Sequence, residues 1–263
     1  MRALNIAATG MAAQQLNVEV ISNNLANVNT TAYKAQRAEF EDLLYQSRQT
    51  VGTQANESGT IVPSGIQLGL GVKTGAVYRI NEQGSLTQTN NPLDVAIQGA
   101  GYIQVQLPSG DIGYTRAGSL TTNGDGEVVT QDGYPLENSI TIPKNTSSVT
   151  ITPTGVVQAT IPGQTTPQTL GTLQLATFMN PNGLAALGNN LYQETDASGQ
   201  PQTGNPGDVG FGTLLQNNLE SSNVDSVSEI TNLIVAQRSY EMNSKVITAS
   251  DQMMQTANQT KAS

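Results

Sequence analysis

Residues 226–258 read SVSEITNLIVAQRSYEMNSKVITASDQMMQTAN, a stretch that contains neither glycine nor proline. In it a large apolar side chain recurs every seventh residue, at Leu233, Tyr240, Ile247 and Met254. This spacing predicts one helix of roughly 33 residues, about 50 Å long at a rise of 1.5 Å per residue. Two pairs near its start have the spacing of a capping box, Ser222 with Asp225 and Ser226 with Glu229. A helix of this length cannot bury its apolar stripe alone, so we expect it to pack on another long helix.

A second stretch with the same spacing lies at the opposite end of the chain. Its heptad positions are Leu4, Met11, Val18 and Leu25. They predict a helix from about residue 3 to residue 28. We therefore expect the two terminal helices to pair as a coiled-coil-like tube domain.

The middle of the chain has a different pattern. Short apolar alternations are separated by Gly, Asn-Gly, Asp-Gly or Pro, which is typical of an antiparallel β domain. The predicted strands are 94–97, 102–107, 113–115, 119–121, 127–130, 149–151, 156–159 and 170–178. The fold class is therefore α+β, with long N- and C-terminal helices and a central all-β domain.

These patterns predict five consecutive regions. They are an N-terminal tube helix (1–30), an extended connecting segment that braces neighbouring subunits (31–74), a central β-rich domain (75–204), a return linker (205–222) and a C-terminal tube helix (223–263). Within the connecting segment, residues 47–62 are rich in Gln, Thr, Gly and Asn, so by composition alone they could equally be a surface loop.

Composition excludes several classes of partner. The chain has 263 residues, a net charge of −9 and only 11 basic residues. These are scattered along the chain, which argues against binding to nucleic acid or to anionic lipid. No segment approaches the roughly 20 apolar residues of a membrane span, and the first 28 residues lack the apolar core of a signal peptide. We expect neither nucleic-acid binding nor membrane insertion.

Residues that carry catalysis or bind metals are scarce. The chain has no Cys and no His, so the thiolate ligand and the commonest general base are both missing. Asp94, Asp125 and Glu127 could pair as acid and base in a secreted β-rich carbohydrate-active enzyme or binding module, but nothing in the sequence places them together. We predict no catalytic, metal or cofactor site.

Polar residues in the two helices are candidates for assembly contacts. Asn is a poor helix former, yet a buried amide can fix the register between neighbouring helices. For this reason Asn24 and Asn27 are predicted to lie in an interface. Arg238 and Glu241 are predicted to meet other subunits, because charges in tightly packed helices need partners. A solvated helix face is the alternative for both charges.

Several motifs resemble those of bacterial flagellar rod and hook proteins. Residues 22–34, SNNLANVNTTAYK, resemble the N-terminal signature of that family, and residues 237–245, QRSYEMNSK, its C-terminal signature. Residues 94–102 and 114–118 continue the match through the β-rich middle. One departure is Ala32, where the family has glycine. Alanine tolerates positive φ poorly, so the local turn is expected to differ.

The resemblance implies a non-enzymatic structural subunit of the distal rod. Such a subunit polymerises helically into a rigid hollow drive shaft that transmits torque from motor to hook across the periplasm. The implied partners are other copies, proximal rod proteins, the hook protein, the surrounding peptidoglycan-layer and outer-membrane ring proteins, and the flagellar type III export apparatus. Export without a cleaved signal peptide is expected. A hook or proximal rod subunit of the same family is the alternative, and residues 47–62 would distinguish the two.

Overall fold

The computed structural model describes residues 2–49, 65–164 and 166–262, and these fall into two compact units. The helical unit holds residues 2–26, 36–49, 65–78 and 225–262, and the β-rich unit holds residues 27–35 and 79–224 apart from residue 165. The predicted α+β organisation is confirmed at this level: each end of the chain forms a helix, and antiparallel strands fill the region between them.

Two long helices dominate the helical unit. They are α1, Arg2–Ala26, and α2, Ser226–Ala262. Helix α2 begins at Ser226, as predicted, but neither predicted capping box supplies its cap. Asp225 supplies the cap, since its Oδ1 accepts a hydrogen bond from the Val227 N–H at 3.0 Å. The Glu229 side chain instead bonds across to α1.

Four strands accompany these helices. They are β1 Gln36–Asp42, β2 Tyr45–Gln49, β3 Ile66–Gly69 and β4 Val72–Arg79. Strand β1 pairs with β4, and β2 pairs with β3 in antiparallel register. Of the segment 47–62, only residues 47–49 belong to a described strand, because residues 50–64 lie outside the part of the chain that the structure describes. The bracing role predicted for this segment stays a prediction.

The described part of the β-rich unit contains fifteen strands. They are β5 Leu86–Gln88, β6 Val95–Gln98, β7 Tyr102–Gln106, β8 Ile112–Thr115, β9 Leu120–Thr122, β10 Val128–Thr130, β11 Ser148–Ile151, β12 Val156–Thr160, β13 Gln168–Thr172, β14 Leu175–Thr177, β15 Ala185–Gly188, β16 Leu191–Gln193, β17 Gln202–Gly204, β18 Thr213–Gln216 and β19 Asn218–Glu220. The largest sheet has six strands in the order β15-β16-β8-β7-β14-β17. A three-stranded sheet, β11-β12-β13, and three two-stranded sheets complete the unit.

A single large apolar cluster forms the core of this unit. Val95, Ile97 and Leu175 are completely buried in it. A smaller aromatic cluster lies beside the six-stranded sheet, where the rings of Tyr114 and Phe178 meet edge to face with centroids 4.8 Å apart. The short strands are thus held together by burial of their apolar faces.

Two sequence predictions about this unit differ from the structure. The predicted strand 170–178 is divided into β13 and β14, which belong to different sheets. Residues 205–222, predicted as a return linker, contain β18 and β19, which pair with β6 and β5. Strands β18 and β19 pair with β6 and β5, which lie far earlier in the chain, and the Gly- and Pro-rich run 204–212 before them is typical of a domain end.

Ala32 takes up positive φ despite its Cβ. Its φ is 56°, a conformation that costs an L-residue with a Cβ roughly 1–2 kcal/mol. The expected difference from the family's turn stays a prediction. Ala32 is 2% exposed, and its N–H donates to the Glu220 carbonyl at 2.8 Å, so the surrounding β-rich unit holds it in place.

Candidate assembly interface

Several of the buried residues of α1 and α2 are small, although Val20 and Ile21 of α1 are buried as well. On α1 the buried side chains include Ala7 and Ala13, and on α2 they are Ala236, 1% exposed, and Ser250, 8% exposed. Gly10 belongs to the same surface, because a Cβ on it would lie 2.8 Å from the Asn243 Nδ2 atom. Small side chains let the two helix backbones approach closely. The most tightly packed positions are therefore not the large apolar residues that the heptads mark.

Two contacts fix the direction in which the helices pair. Gly10 faces Asn243, and Asn24 Nδ2 donates to Glu229 Oε1 at 3.3 Å. Moving forward along α1 from Gly10 to Asn24 therefore corresponds to moving backward by the same number of residues along α2. The helices are antiparallel, and two heptads separate the contacts.

Asn24 is the most buried polar residue of α1, at 1% exposed. Its Nδ2 donates to the Gln36 carbonyl at 2.8 Å, while the Gln36 N–H donates to its Oδ1 at the same distance. The amide thus pairs with the start of β1 in the way that a strand residue would. Burial raises the pKa of Glu229 and the hydrogen bond from Asn24 lowers it, with a net rise. Asn24 therefore sets the register inside the chain, and its predicted role between subunits stays a prediction.

Asn27 lies in the β-rich unit. Its Oδ1 accepts a hydrogen bond from Thr30 Oγ1 at 3.1 Å, and its carbonyl accepts one from the Thr30 N–H at 3.2 Å. These bonds build a turn after α1. Both hydrogen bonds lie within one chain and do not test contacts between subunits. The interface role predicted for Asn27 therefore stays a prediction.

The predicted heptad residues flank the small-residue contact and are incompletely covered. Seven of the eight are half-buried: Leu4, Met11, Val18, Leu25, Leu233, Ile247 and Met254. Tyr240 is more open, at 42% exposed. Each therefore keeps apolar surface that the paired helix leaves uncovered.

Beside the row that faces α1, helix α2 carries an apolar stripe, which we call the outer stripe. Its members are Val235, Met242, Val246 and Met253. Their spacing of seven, four and seven residues places them on one side of the helix. They are 59%, 59%, 46% and 66% exposed. Contiguous exposed apolar surface of this kind marks a site of interaction in a folded protein.

Three predicted interface residues line a groove of about 340 Å³ in the helical unit. Val18 and Tyr240 give it an apolar surface, and the exposed carboxylate of Glu241 lies at its edge. Glu241 makes no ion pair with Arg238 or Lys245 within the described residues. The helix spacing thus places opposite charges near each other without joining them, and both Arg238 and Glu241 remain accessible to another molecule.

Three family models match separate parts of the chain. Residues 4–34 match the flagella basal body rod protein model, residues 96–159 the D1 domain of the flagellar hook protein FlgE/F/G, and residues 215–260 the C-terminal region of the flagellar basal body rod FlgEFG proteins. The chain is 58% identical to the flagellar basal-body rod protein FlgG of Caulobacter vibrioides over 98% of its own length and 99% of the relative's. It is 53% identical to the FlgG of Agrobacterium fabrum (96% and 97% covered) and 38% identical to that of Bacillus subtilis (97% of each chain).

The chain belongs to the flagellar basal-body rod protein family. It is therefore a structural subunit of the flagellar rod, and the resemblance seen in its terminal motifs is confirmed. Membership in the rod family implies association with other flagellar components. In the described part of the chain, neither helix is apolar enough over its length to cross a membrane.

The acidic residues on which the alternative enzyme hypothesis rested, Asp94, Asp125 and Glu127, make local hydrogen bonds in this rod-family protein. Asp94 Oδ1 accepts a hydrogen bond from Asn91 at 2.9 Å, and Glu127 Oε1 accepts one from Ser139 at 2.7 Å. Asp125 donates its N–H to Asn123 Oδ1 in the hairpin between β9 and β10. Each group thus takes part in a local hydrogen bond that shapes the chain.

Sequence reasoning missed the small-residue row of α2. Glu229, Ala236, Asn243 and Ser250 recur every seven residues, as the apolar heptad does. Hydrophobicity does not mark such a row, because its members are small or polar. The signal that could have found it is small residues on both helices: Gly10 on α1, and Ala236 and Ser250 at heptad spacing on α2.

Proposed function

We propose that this rod subunit polymerises helically into the distal rod, a rigid hollow drive shaft that transmits torque from motor to hook. In this proposal α1 and α2 pair as a coiled coil and line the inner tube. The 38–58% identity to FlgG proteins over nearly their full length supports the assignment.

The observation that carries polymerisation is the outer stripe of α2. A neighbouring face of this helix packs on α1, and the chain itself leaves the stripe residues 46–66% exposed. Fully burying an exposed side chain of this kind is worth about 1.5–3 kcal/mol, and each of these four still exposes about half of its surface. Four of them in each subunit therefore supply a substantial driving force for contact with another copy. The heptad residues and the groove at Tyr240 extend this apolar surface around the helix pair.

The remaining partners are proposed from membership in the rod family. They are the proximal rod proteins, the hook protein, the ring proteins around the rod in the peptidoglycan layer and outer membrane, and the flagellar type III export apparatus. The proposed location is the rod of the basal body, spanning the periplasm, with export that leaves the N-terminus uncleaved. No enzymatic step is part of the proposal.

Substitution of Val246 by Asp tests the outer stripe directly. A carboxylate there should abolish or sharply weaken polymerisation, because assembly would have to desolvate it. The monomer should keep its stability, since Val246 is 46% exposed before assembly. Gln252→Asp is the matched control, because it puts the same charge at an exposed polar position of α2. Electron microscopy of the purified protein under polymerising conditions gives the readout, and normal polymers from Val246→Asp would overturn the proposal.

A hook or proximal rod subunit is the alternative within the family. The distal-rod proposal assigns residues 47–62 to bracing contacts that stiffen the tube. Deletion of these residues should leave a polymer that bends more readily, which electron microscopy can measure as its curvature distribution. Unchanged curvature would favour the alternative.

A further inference from the structure

A buried carboxylate connects distant parts of the β-rich unit. Glu220 Oε1 accepts hydrogen bonds from Lys34 Nζ at 2.6 Å and from the Gly84 N–H at 3.0 Å, and its Oε2 accepts one from Arg116 Nε at 2.9 Å. The side chain of Glu220 is 0% exposed, and those of Lys34 and Arg116 are 4% and 7% exposed. Breaking a buried ion pair on one side leaves an uncompensated charge, so these groups depend on one another.

Charge and burial act against each other in this cluster. Burial alone raises the pKa of Glu220, but Arg116 and Lys34 together hold that pKa below its usual value. Burial also lowers the pKa of Lys34, against the effect of Glu220. The Arg116 guanidinium donates further to the carbonyls of Gly101 at 3.1 Å and Gly99 at 3.0 Å. The two cations therefore share one carboxylate, and each also donates to backbone carbonyls of its own, Lys34 to that of Glu82 at 2.7 Å.

Asn223 makes a second connection three residues later. Its Oδ1 accepts a hydrogen bond from the Ala35 N–H at 2.7 Å, and its Nδ2 donates to the carbonyls of Ile80 at 2.9 Å and Glu82 at 3.1 Å. The Ile80 N–H in turn donates to the Ala35 carbonyl at 2.8 Å. One amide side chain thus holds two backbone segments that are far apart in sequence.

The segments joined in this way are those by which the chain leaves or enters the β-rich unit. The chain passes between the units after residues 26, 35, 78 and 224. Residues 31–35, 79–84 and 220–224, which we call the neck segments, adjoin three of these four crossings. Glu220 and Asn223 connect all three neck segments within the β-rich unit.

We propose that Glu220 and Asn223 are positioning residues that hold the three neck segments together, so that these segments open cooperatively. We call the joined segments the fork. Because of the fork, mechanical load on the rod is shared by three chain crossings in parallel. The proposal rests on the function in torque transmission proposed above. It assigns a role to Lys34, Arg116 and Asn223, which lie within the three regions that match the family models. Without the fork, each neck segment would open independently and one crossing at a time would bear the load.

Amide hydrogen exchange in the full-length monomer tests the fork. Asn223→Ala should speed exchange at Ala35, Ile80 and Gly84 together, by about 10- to 100-fold, because the hydrogen bonds that join the segments are lost. Exchange at Val128, whose N–H bonds to the Ile140 carbonyl in another part of the unit, should not change. Faster exchange at Ala35 alone would overturn the proposal, as would an equal change at Val128.

Gln216→Ala is the matched control. Gln216 is also half-buried, and its amide also joins segments: Oε1 accepts from the Ile151 N–H at 3.1 Å, while Nε2 donates to the Pro92 carbonyl at 2.7 Å and the Val149 carbonyl at 2.9 Å. This variant should speed exchange at Ile151 and leave the neck amides unchanged. Equal acceleration in the neck would show general loosening and would overturn the proposal.

Asn223→Asp distinguishes the contact of Asn223 with the Ala35 N–H from its contacts with the carbonyls of Ile80 and Glu82. A carboxylate can still accept from the Ala35 N–H, but it cannot donate to the carbonyls of Ile80 and Glu82. Amide exchange at Gly84 should become faster than in the unmodified protein. The amide of Ala35 should exchange more slowly in this variant than in Asn223→Ala. Identical exchange at Gly84 in this variant and the unmodified protein would contradict the proposed coupling.

Rotation of tethered cells under low and high viscous load tests the mechanical part. Cells with Asn223→Ala should rotate normally at low load and more slowly than the Gln216→Ala control at high load. Equal speeds at every load would overturn the load-sharing role. The exchange experiment uses the monomer and Val246→Asp does not alter the neck, so failure of the fork and failure of the proposed polymerisation can be told apart.

Discussion

The two units of the chain treat their apolar side chains in opposite ways. In the β-rich unit Val95, Ile97 and Leu175 are fully buried, whereas on α2 Val235, Met242 and Met253 are 59–66% exposed. The β-rich unit buries its apolar side chains within a single chain, whereas the helical unit leaves part of its apolar surface exposed. If that surface mediates assembly as proposed, substitutions in the two units should affect folding and assembly separately.

The largest effect is expected in the β-rich unit, from Glu220→Ala. This change leaves Lys34 and Arg116 buried without their shared carboxylate and should lower the free energy of unfolding by about 3–5 kcal/mol. Denaturant unfolding of the monomer measures it. Glu41→Ala is the control, because it removes an ion pair with Lys73 that is exposed on both sides and should leave the unfolding midpoint unchanged. Equal midpoints for the two variants would show that the buried cluster is dispensable.

In the helical unit, neighbouring residues should behave differently. Ile247→Asp puts a charge at a half-buried position beside α1 and should destabilise the pairing of the helices by about 2–3 kcal/mol. Val246→Asp should change monomer stability by no more than about 0.5 kcal/mol, although it stops assembly. Helicity by circular dichroism and protease protection of α2 separate the two variants. Equal destabilisation would mean that the outer stripe already has a partner inside the chain.

The pH dependence of unfolding tests the contribution of the buried Glu220 to the stability of the β-rich unit. The pKa of Glu220 lies below its ordinary value of 4.5 in the folded chain. Its contribution to stability is therefore complete above that value and is lost as the pH falls through the lower folded pKa. Glu220→Gln should unfold more easily at neutral pH but lose less additional stability in acid. A variant with the same acid dependence as the unmodified protein would show that other carboxyl groups control the transition.

The smallest effect is expected at Gly10. Gly10→Ala gains about 1 kcal/mol of helix propensity, but its Cβ must displace the flexible Asn243 amide. Monomer stability should change by less than about 1 kcal/mol in either direction, as thermal unfolding can show. A loss of several kcal/mol would mean that the close approach of the helices is rigidly required.

Sequence periodicity predicted the helices well because heptads persist over many turns. The start of α2 at Ser226 agrees with the prediction, and α1 ends at Ala26, two residues before the predicted end. The strands were recognised where apolar alternation was clear, as in β7 and β12. Strands β18 and β19 were missed because they follow a Gly- and Pro-rich run and pair with strands far earlier in the chain, which leaves no local signal.

The contacts inside the site were harder to predict. The heptads marked Leu233 and Ile247, yet the closest packing involves Ala236 and Ser250, whose size rather than hydrophobicity matters. Glu220 was not singled out, because a lone carboxylate gives no sign of the two cations that reach it from positions 34 and 116. Such groupings depend on the tertiary fold and not on local sequence.

The separation of α1 from α2 along the chain has a consequence for quality control. Asn24 and Glu229 bond although they lie 205 positions apart in sequence, so α1 is made first and finds its partner last. A chain that ends before residue 226 could complete most of its β-rich unit, but it would offer neither the paired helices nor the outer stripe. Only a chain that has been synthesised through both ends presents the complete helical surface. If assembly uses α2 as proposed, the order of elements would therefore keep truncated subunits out of the polymer.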